Sequence, residues 1–254
     1  MKLKNFIIAV LCIGALICLV LYVRQKLNLT YFGSVKKSET LLYDEVYSNS
    51  FDKISIENDG YADIIIKESD DENISLKIYA DSNNIEYNPN DSQLNIKTKS
   101  KTCVIFCDVE TSVIELYLPK DYDKPINIDS DVGTIEVGYL DNLILDAKLD
   151  TGTINIGSAK DLKIDADAVV IYINTVNEKL ELDNDTGNIS IDNLKITENS
   201  YIETDVSNIN ILQTSEIKVE IKNGSRLSHI NNNYQDSNVV LTISNDIGEI
   251  NINN

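Results

Sequence analysis

The chain has few of the residues on which common active sites depend. Among its 254 residues there is no tryptophan, one histidine, one methionine and four cysteines. So few imidazole and thiol groups leave little for histidine-based catalysis or for a Cys/His zinc site. Basic residues are also scarce, with 22 lysines and arginines against 41 aspartates and glutamates, a net charge of −19. A surface of this sign repels polyanions, so no nucleic-acid partner is expected.

Apolar residues, in contrast, make up 43% of the sequence, enough to bury a core rather than leave the chain disordered. The charge is unevenly divided along the chain. Through Thr40 there are six basic residues and one acidic residue, whereas the rest carries 16 basic and 40 acidic residues, a net charge of −24. The acidic part is therefore expected to be a separate body that faces water.

An uncharged apolar segment occupies residues 6–23. As a helix, these 18 residues would extend roughly 27 Å, just enough to cross a bilayer. The segment is longer than the apolar region of a typical cleaved signal peptide and ends in Leu-Tyr-Val-Arg rather than a small-x-small site. Neither Cys12 nor Cys18 follows a small residue, as lipoprotein acylation requires; both are expected to be packed or lipid-facing, with palmitoylation as the alternative. We expect an uncleaved helical anchor with Tyr22 and Arg24 at its outer interface.

The orientation follows from length more than from charge, because Lys2 and Lys4 nearly balance the basic residues after the segment. A short tail before a first apolar segment acts as an uncleaved signal, and long following domains translocate largely regardless of charge. We expect a single-pass cell-membrane protein whose large C-terminal domain lies outside the cytoplasm. The expected divisions are an anchor at 1–24, a linker at 25–50, an N-terminal β-strand region at 51–125 and a repetitive region at 126–254.

From about Phe51 onward, apolar and polar residues alternate, as in KISIEN, NISLKIYA, TINIG and EINI. A period of two indicates strands, and no segment of this part sustains the 3.6-residue period of a helix. Branched and aromatic residues fill the strands, whereas Asp, Asn, Ser and Gly fill the intervals. The sequence therefore predicts an all-β body.

The second half repeats itself around a turn. Seven segments, from DVGTIEV and DTGTINI to NGSRLSH and DIGEINI, align on a turn column, which consists of Asp131, Asp150, Asp167, Asp185, Asp205, Asn223 and Asp246. Apolar residues recur four and six positions later, beginning with Ile135 and Val137, and apolar residues three positions earlier predict a second strand. His229 falls in an apolar position of the irregular sixth segment, which indicates a slipped register or a satisfied, partly buried imidazole rather than a catalyst.

A unit of about 20 residues cannot bury its own apolar face, and units of regular length stack so that each covers the next. We therefore predict an all-β fold, a β-solenoid of stacked coils of about 17–23 residues preceded by one transmembrane helix; a β-sandwich is the alternative. The chain ends two residues after Ile252. We expect the EINI strand to lie uncovered at the end of the stack, and copies to self-associate weakly once salt screens their charge.

Several stretches carry a family resemblance: ISIENDGYADIIIKE, then VIELYLPKDYDKPINIDSDVGTIEV, and the recurring LDTGTINI and LDNDTGNISI. They resemble the bacterial putative-adhesin domain family of unknown function, over about 50–254 and most clearly over 113–191. The resemblance implies an envelope-associated, non-enzymatic module in which a membrane-proximal strand region precedes the β-coils, and it implies no binding residues. DAVVIYI and DVSNINI depart from the family because they lack the turn glycine.

The turn column has two interpretations. Asp and Asn side chains accept bonds from nearby backbone N–H groups, so they recur at turns without any ligand. The alternative is calcium, because further carboxylates stand two residues earlier, at Asp129, Asp165, Asp183 and Glu203. The spacing matches neither an EF-hand nor the nonapeptide calcium repeat. No metal or cofactor is therefore assigned, and the same periodicity argues against a local acid and base pair that cleaves polysaccharide.

Cys103 and Cys107 stand four residues apart, about 13 Å in a straight strand, so a disulfide between them requires a turn. Outside the cytoplasm such a bridge and packed free thiols are equally compatible with the sequence. Two functions remain. The first is a non-catalytic binding or scaffold module of the adhesin type, with wall polymer, glycan or an envelope protein as its partner. The alternative is a regulatory or stress-sensing envelope component that acts through a membrane protein. Neither is an enzyme.

Overall fold

The computed structural model describes residues 35–48, 51–81, 85–90, 92–99, 109–223, 228–231 and 233–253. The chain divides into two compact units, 1–36 with 102–109 and 37–101 with 110–254; the second is described below. The described residues form strands and no helix, which confirms the all-β class. Accordingly, this part of the chain has no helix that could cross a membrane, and the anchor predicted at 6–23 lies outside the described residues.

The strands follow one another along the whole described chain. In chain order they are β1 Val35–Lys37, β2 Leu41–Tyr47, β3 Lys53–Glu68, β4 Ile74–Tyr79, β5 Ile85–Pro89, β6 Gln93–Lys99, β7 Val109–Leu118, β8 Pro125–Tyr139, β9 Ile144–Leu194, β10 Ser200–Thr214, β11 Lys218–Ile221, β12 Ser228–Ile230, β13 Val240–Ile247 and β14 Ile250–Ile252. The long strands β8, β9 and β10 bend at the turn aspartates, and β9 alone contains three of the predicted repeats.

Successive repeats pair in parallel and in register. β8 pairs with the first part of β9, with Pro125 opposite Ile144. The last part of β9 pairs with β10, with Glu181 opposite Tyr201. The sequence separation of both pairs lies within the predicted coil length, and the pairing places each turn aspartate level with the next.

The core lies between the strand before each turn and the strand after it. The residues four and six positions after each turn aspartate are buried in six of the seven segments: Ile135, Ile154, Ile171, Ile189, Ile209 and Ile250, then Val137, Ile156, Ile173, Ile191, Ile211 and Ile252. Each such side chain contributes about 1.5–3 kcal/mol when it is buried. These apolar columns confirm the predicted faces of the strands.

The strand β3 extends this stack beyond β8. Ile54 lies opposite Ile126 and Ile64 opposite Ile135, with a register shift between Asn58 and Tyr61. On its other side, β3 pairs in parallel with β6 through its first half and with β7 through its second half. β4 then pairs antiparallel with both β7 and β2, and β5 pairs antiparallel with β6. The parallel stack thus passes into an antiparallel sheet at this end.

The seventh repeat is threaded between the fifth and the sixth. β13 pairs with β10 on one side and with β11 on the other, and β14 lies between β10 and β12. The prediction that the EINI strand ends the stack uncovered is therefore wrong. The seventh repeat buries Ile243, Ile250 and Ile252, so it suits a position covered on both sides, whereas the sixth exposes Ser228 and His229.

The sixth repeat also has a different register from the predicted one. Lys218 lies opposite Val240 and Ser228 opposite Ile250. Asn223 is therefore level with Asn245 rather than with Asp246, and its carbonyl accepts a hydrogen bond from the Asn245 backbone N–H at 2.9 Å. The slipped register expected at His229 is confirmed: this side chain is exposed and level with Asn251.

A single side chain covers part of the β11 edge. The backbone N–H of Val219 donates to Asn233 Oδ1 at 2.9 Å, and Asn233 Nδ2 donates to the Val219 carbonyl at 2.9 Å. The side-chain amide occupies the position that the backbone of another strand would take. Terminal repeats need such a cover, because unpaired strand edges are sites of pairing with other chains.

Candidate functional site

The turn aspartates lie along one exposed corner of the stack. Asp131 is level with Asp150, and Asp185 and Asp246 flank Asp205 on either side. Neighbouring members are therefore about 4.8 Å apart along the stack. The register also brings Asp59, in the bulge of β3, next to Asp131, a member of the column that the repeat alignment missed.

Buried asparagines support this corner from inside. Asn245 Nδ2 donates to the Ser207 carbonyl at 3.0 Å, and its Oδ1 accepts from Thr204 Oγ1 at 2.8 Å. Asn184 Nδ2 donates to the Val169 carbonyl at 3.4 Å. Both asparagines immediately precede a turn aspartate and are fully buried. They satisfy carbonyls of the neighbouring repeat that would otherwise be buried without a partner.

Two kinds of turn follow the aspartates. Gly152 has a φ of +147°, and a Cβ there would lie 1.9 Å from the Gly133 carbonyl oxygen, so only glycine fits this turn. In the repeats that lack the glycine, Val169 and Ser207 stand at the same level and their side chains are buried. The departure from the family pattern therefore changes the local turn and leaves the register of the stack intact.

Burial and charge both act on the carboxylates of the corner. Burial, followed by repulsion from Glu203 and Asp165, raises the pKa of Asp183. Burial, followed by repulsion from Asp59 and Asp150, likewise raises the pKa of Asp131. Within the described ranges, no group of three or more His, Cys, Asp or Glu side chains is placed to hold a metal ion. Calcium binding stays a prediction, and the corner does its structural work through its asparagines and glycines.

A groove of about 540 Å³ lies on the outer face of the strands after the turn. Its floor is formed by Gly138 and Gly157, which are level with each other because Val137 faces Ile156 and Tyr139 faces Ser158. Without side chains at these two positions, the backbone of two adjacent repeats is open to the groove. This depression lies in the middle of the stack, away from the aspartate corner.

Two tyrosines and several polar groups line the groove. Tyr139 is 65% exposed and Tyr172 is 53% exposed. The polar lining consists of Glu136, Asn155, Asn174, Ser190 and Asp192. Asn174 Nδ2 donates to Asp192 Oδ2 at 3.3 Å, so these two side chains are held together at one end of the glycine floor.

Sequence reasoning missed this groove. The signal was a glycine seven positions after each of Asp131 and Asp150, where the following repeats have Asn174 and Asp192. The cysteines, by contrast, give no site here: Cys12, Cys18, Cys103 and Cys107 lie outside the described residues. A disulfide between the last two stays a prediction.

Comparison with known families decides the relationship. The family described as Toastrack DUF4097 matches residues 51–254, which include both the corner and the groove. This chain belongs to the Toastrack DUF4097 family. Membership confirms the resemblance predicted from the sequence, and the match begins at Phe51, the residue at which strand alternation starts.

Solved structures similar to this Toastrack chain are named as adhesion proteins. A putative cell adhesion protein from Clostridium sporogenes is 17% identical, with 83% of this chain and 98% of that chain covered and a TM-score of 0.37. For a putative adhesin from Bacteroides fragilis the values are 17%, 87%, 100% and 0.38. For one from Parabacteroides merdae they are 12%, 89%, 100% and 0.40. Likenesses with TM-scores this low support no inference about this chain. No curated protein matches it.

Proposed function

We propose that this protein is a non-catalytic binding module of the cell envelope. The segment at 6–23 holds it in the membrane, and the acidic β-stack lies outside the cytoplasm, where it contacts an envelope polymer. The observation that carries the proposal is the register of the repeats, which sets equivalent outward side chains at regular intervals along one face.

The repeating face suits a repeating ligand. The residues five positions after the turn point outward in successive repeats and include Asn155, Tyr172, Ser190 and Asn210. With about 4.8 Å between neighbouring strands, one polymer chain can touch several repeats at once. Several weak contacts on one chain give a higher combined affinity than any one of them.

The arrangement of carboxylates supports binding rather than catalysis. A glycosidase needs one acid and one base whose surroundings differ. Here the turn aspartates recur in the same position from Asp131 to Asp246, and their environments are similar. Such a periodic set is typical of a structural role in each repeat.

The proposal is tested by sedimentation with envelope material. The full chain, purified in detergent micelles, is mixed with insoluble wall polymer stripped of protein, and separately with solubilised membrane proteins from the same cells. We expect saturable sedimentation with the polymer. Recovery of one membrane protein in a fixed ratio, without sedimentation, would replace binding by the regulatory role.

Topology is tested in intact cells. A C-terminal tag should be removed by protease added to cells stripped of their wall, because the domain is expected outside. Protection until the membrane is permeabilised would place the domain in the cytoplasm and reverse the proposed orientation.

A further inference from the structure

We propose that the groove between Tyr139 and Tyr172 is a binding site for a neutral glycan chain. This inference rests on the proposed binding function and names its ligand class and its site. It stands on the shape of the groove, the exposure of its two rings, the polar groups between them and the pairing of the strands on its floor.

The two rings offer surfaces that sugars recognise. A pyranose ring presents a face of C–H groups, which carry a slight positive charge, and a rim of hydroxyls. The face of a tyrosine ring is negative, so it attracts such C–H groups, and its hydroxyl can exchange hydrogen bonds with the rim. Tyr139 and Tyr172 remain mostly exposed although neighbouring outward positions carry small or polar side chains. They stand two repeats apart, roughly 10 Å along the stack.

The space between the rings has complementary polar groups. Asn155 and Asn174 each carry a donor and an acceptor, Ser190 carries a hydroxyl, and Glu136 and Asp192 accept. Sugar hydroxyls also donate and accept, so this mixture suits them. Among the described lining residues there are two carboxylates and no basic side chain, so an acidic sugar is disfavoured and a neutral one is expected.

The groove does not suit an extended peptide. Peptides that bind to sheets usually add a strand to a free edge, but the strands beneath the groove are interior ones, with β8 paired to both β3 and β9. The aliphatic side chains of the floor, Val137 and Ile156, point into the core and are buried, so they offer no apolar pocket to peptide side chains.

The glycine at position 138 leaves room that the backbone does not require. A Cβ at Gly138 would have its nearest neighbour, the Ile66 carbonyl oxygen, at 3.6 Å, an ordinary contact. Alanine therefore fits there without strain, unlike at Gly157, where a Cβ would lie 2.7 Å from the Gly138 backbone. Since packing does not explain Gly138, an open floor is the reason we infer for it.

The test uses the full chain in a detergent without a sugar headgroup. Cellohexaose and chitohexaose are titrated by calorimetry as neutral probes, with polygalacturonate as the anionic comparison. The variants are Tyr172→Ala, Tyr172→Phe and Gly138→Ala. The matched control is Tyr201→Ala, since Tyr201 is also 40% exposed but lies before the turn, outside the groove.

We expect saturable binding of at least one neutral probe, stronger than that of polygalacturonate. Tyr172→Ala should weaken it about tenfold, Tyr172→Phe by less than about threefold, and Tyr201→Ala not at all. Gly138→Ala should weaken it without lowering the melting temperature, which separates a filled groove from a damaged fold. Equal affinity in the wild type, Tyr172→Ala and Gly138→Ala would overturn the site. Sedimentation with wall polymer without binding of either probe would overturn the neutral-glycan inference and leave the proposed function standing, whereas failure of the sedimentation itself would remove that function.

Discussion

Substitution of the turn glycine Gly152 by alanine tests whether the corner determines the stability of the stack. The φ of +147° is disfavoured for a residue with a Cβ, which costs about 1–3 kcal/mol. The added Cβ would also lie 1.9 Å from the Gly133 carbonyl oxygen. The two repeats must separate locally or the turn must change its path, and the loss of one inter-repeat hydrogen bond costs about 0.5–1.5 kcal/mol more.

We therefore expect Gly152→Ala to lower the free energy of unfolding by about 2–4 kcal/mol. The upper limit is set by the other kind of turn, because Val169 shows that a residue with a side chain is accommodated at this level when the backbone follows another path. For a domain of this size, 1 kcal/mol shifts the melting temperature by about 2–4 °C. The melting temperature should fall by roughly 4–16 °C.

The assay is thermal unfolding of the full chain in detergent, followed by far-ultraviolet circular dichroism. The matched control is Gly138→Ala in the adjacent strand, which should leave the melting temperature unchanged or raise it slightly, because alanine has less conformational freedom in the unfolded chain. If Gly152→Ala melted within about 2 °C of the wild type, steric closure of the turn would not be what requires glycine there.

Three further outcomes follow from the corner. Asn245→Ala should lower the free energy of unfolding by about 2–4 kcal/mol, because the Ser207 carbonyl and the Thr204 hydroxyl lose their buried partner; addition of Thr204→Val should then cost less than it does in the wild type. Asp183→Asn should raise the melting temperature at pH 7, since the raised pKa of Asp183 makes its charged form unfavourable in the folded state. That gain should disappear as the pH falls below the ordinary aspartate pKa of about 3.9, where the carboxyl is protonated in both states, and Asp146→Asn, which removes the partner of Lys163 at 3.2 Å, should give no such gain. Sodium and calcium chloride at matched ionic strength should raise the melting temperature equally if screening alone relieves the column; a larger effect of calcium would support the metal interpretation.

The faces and the register of the stack could be predicted because alternation and repeat length both constrain them. A slip of one residue would turn Ile154 and Ile156 outward, so only one register buries the apolar columns. The irregular sixth segment lacks this constraint around His229, and there the alignment misplaced Asn223 by one residue.

The order of the repeats in space was not predictable in the same way. Parallel strands with equivalent columns can pair with any neighbour of matching pattern, so alternation does not specify that β13 lies between β10 and β11. The strand β3 was missed as a coil for a related reason: it pairs with β8 although β4 to β7 lie between them in the sequence, and its bulge at Asp59 and Gly60 adds a residue to the repeat. The groove was missed because it depends on which side chains are absent from an exposed face.

The threading of the seventh repeat also places a demand on the timing of synthesis. As the chain leaves the ribosome, the sixth repeat appears before the seventh and meets the open edge of β10 first, yet in the finished protein that edge belongs to β13, in which Leu241 lies opposite Ser200. The edge must therefore stay vacant, or be vacated, until the whole of β13 has emerged. During that interval the β13 segment of a neighbouring copy offers the same pairing as the chain's own. Whether two nascent chains exchange this segment and become linked is thus decided by which copy of β13 arrives first, and slow elongation or crowding at this stage favours the exchanged form.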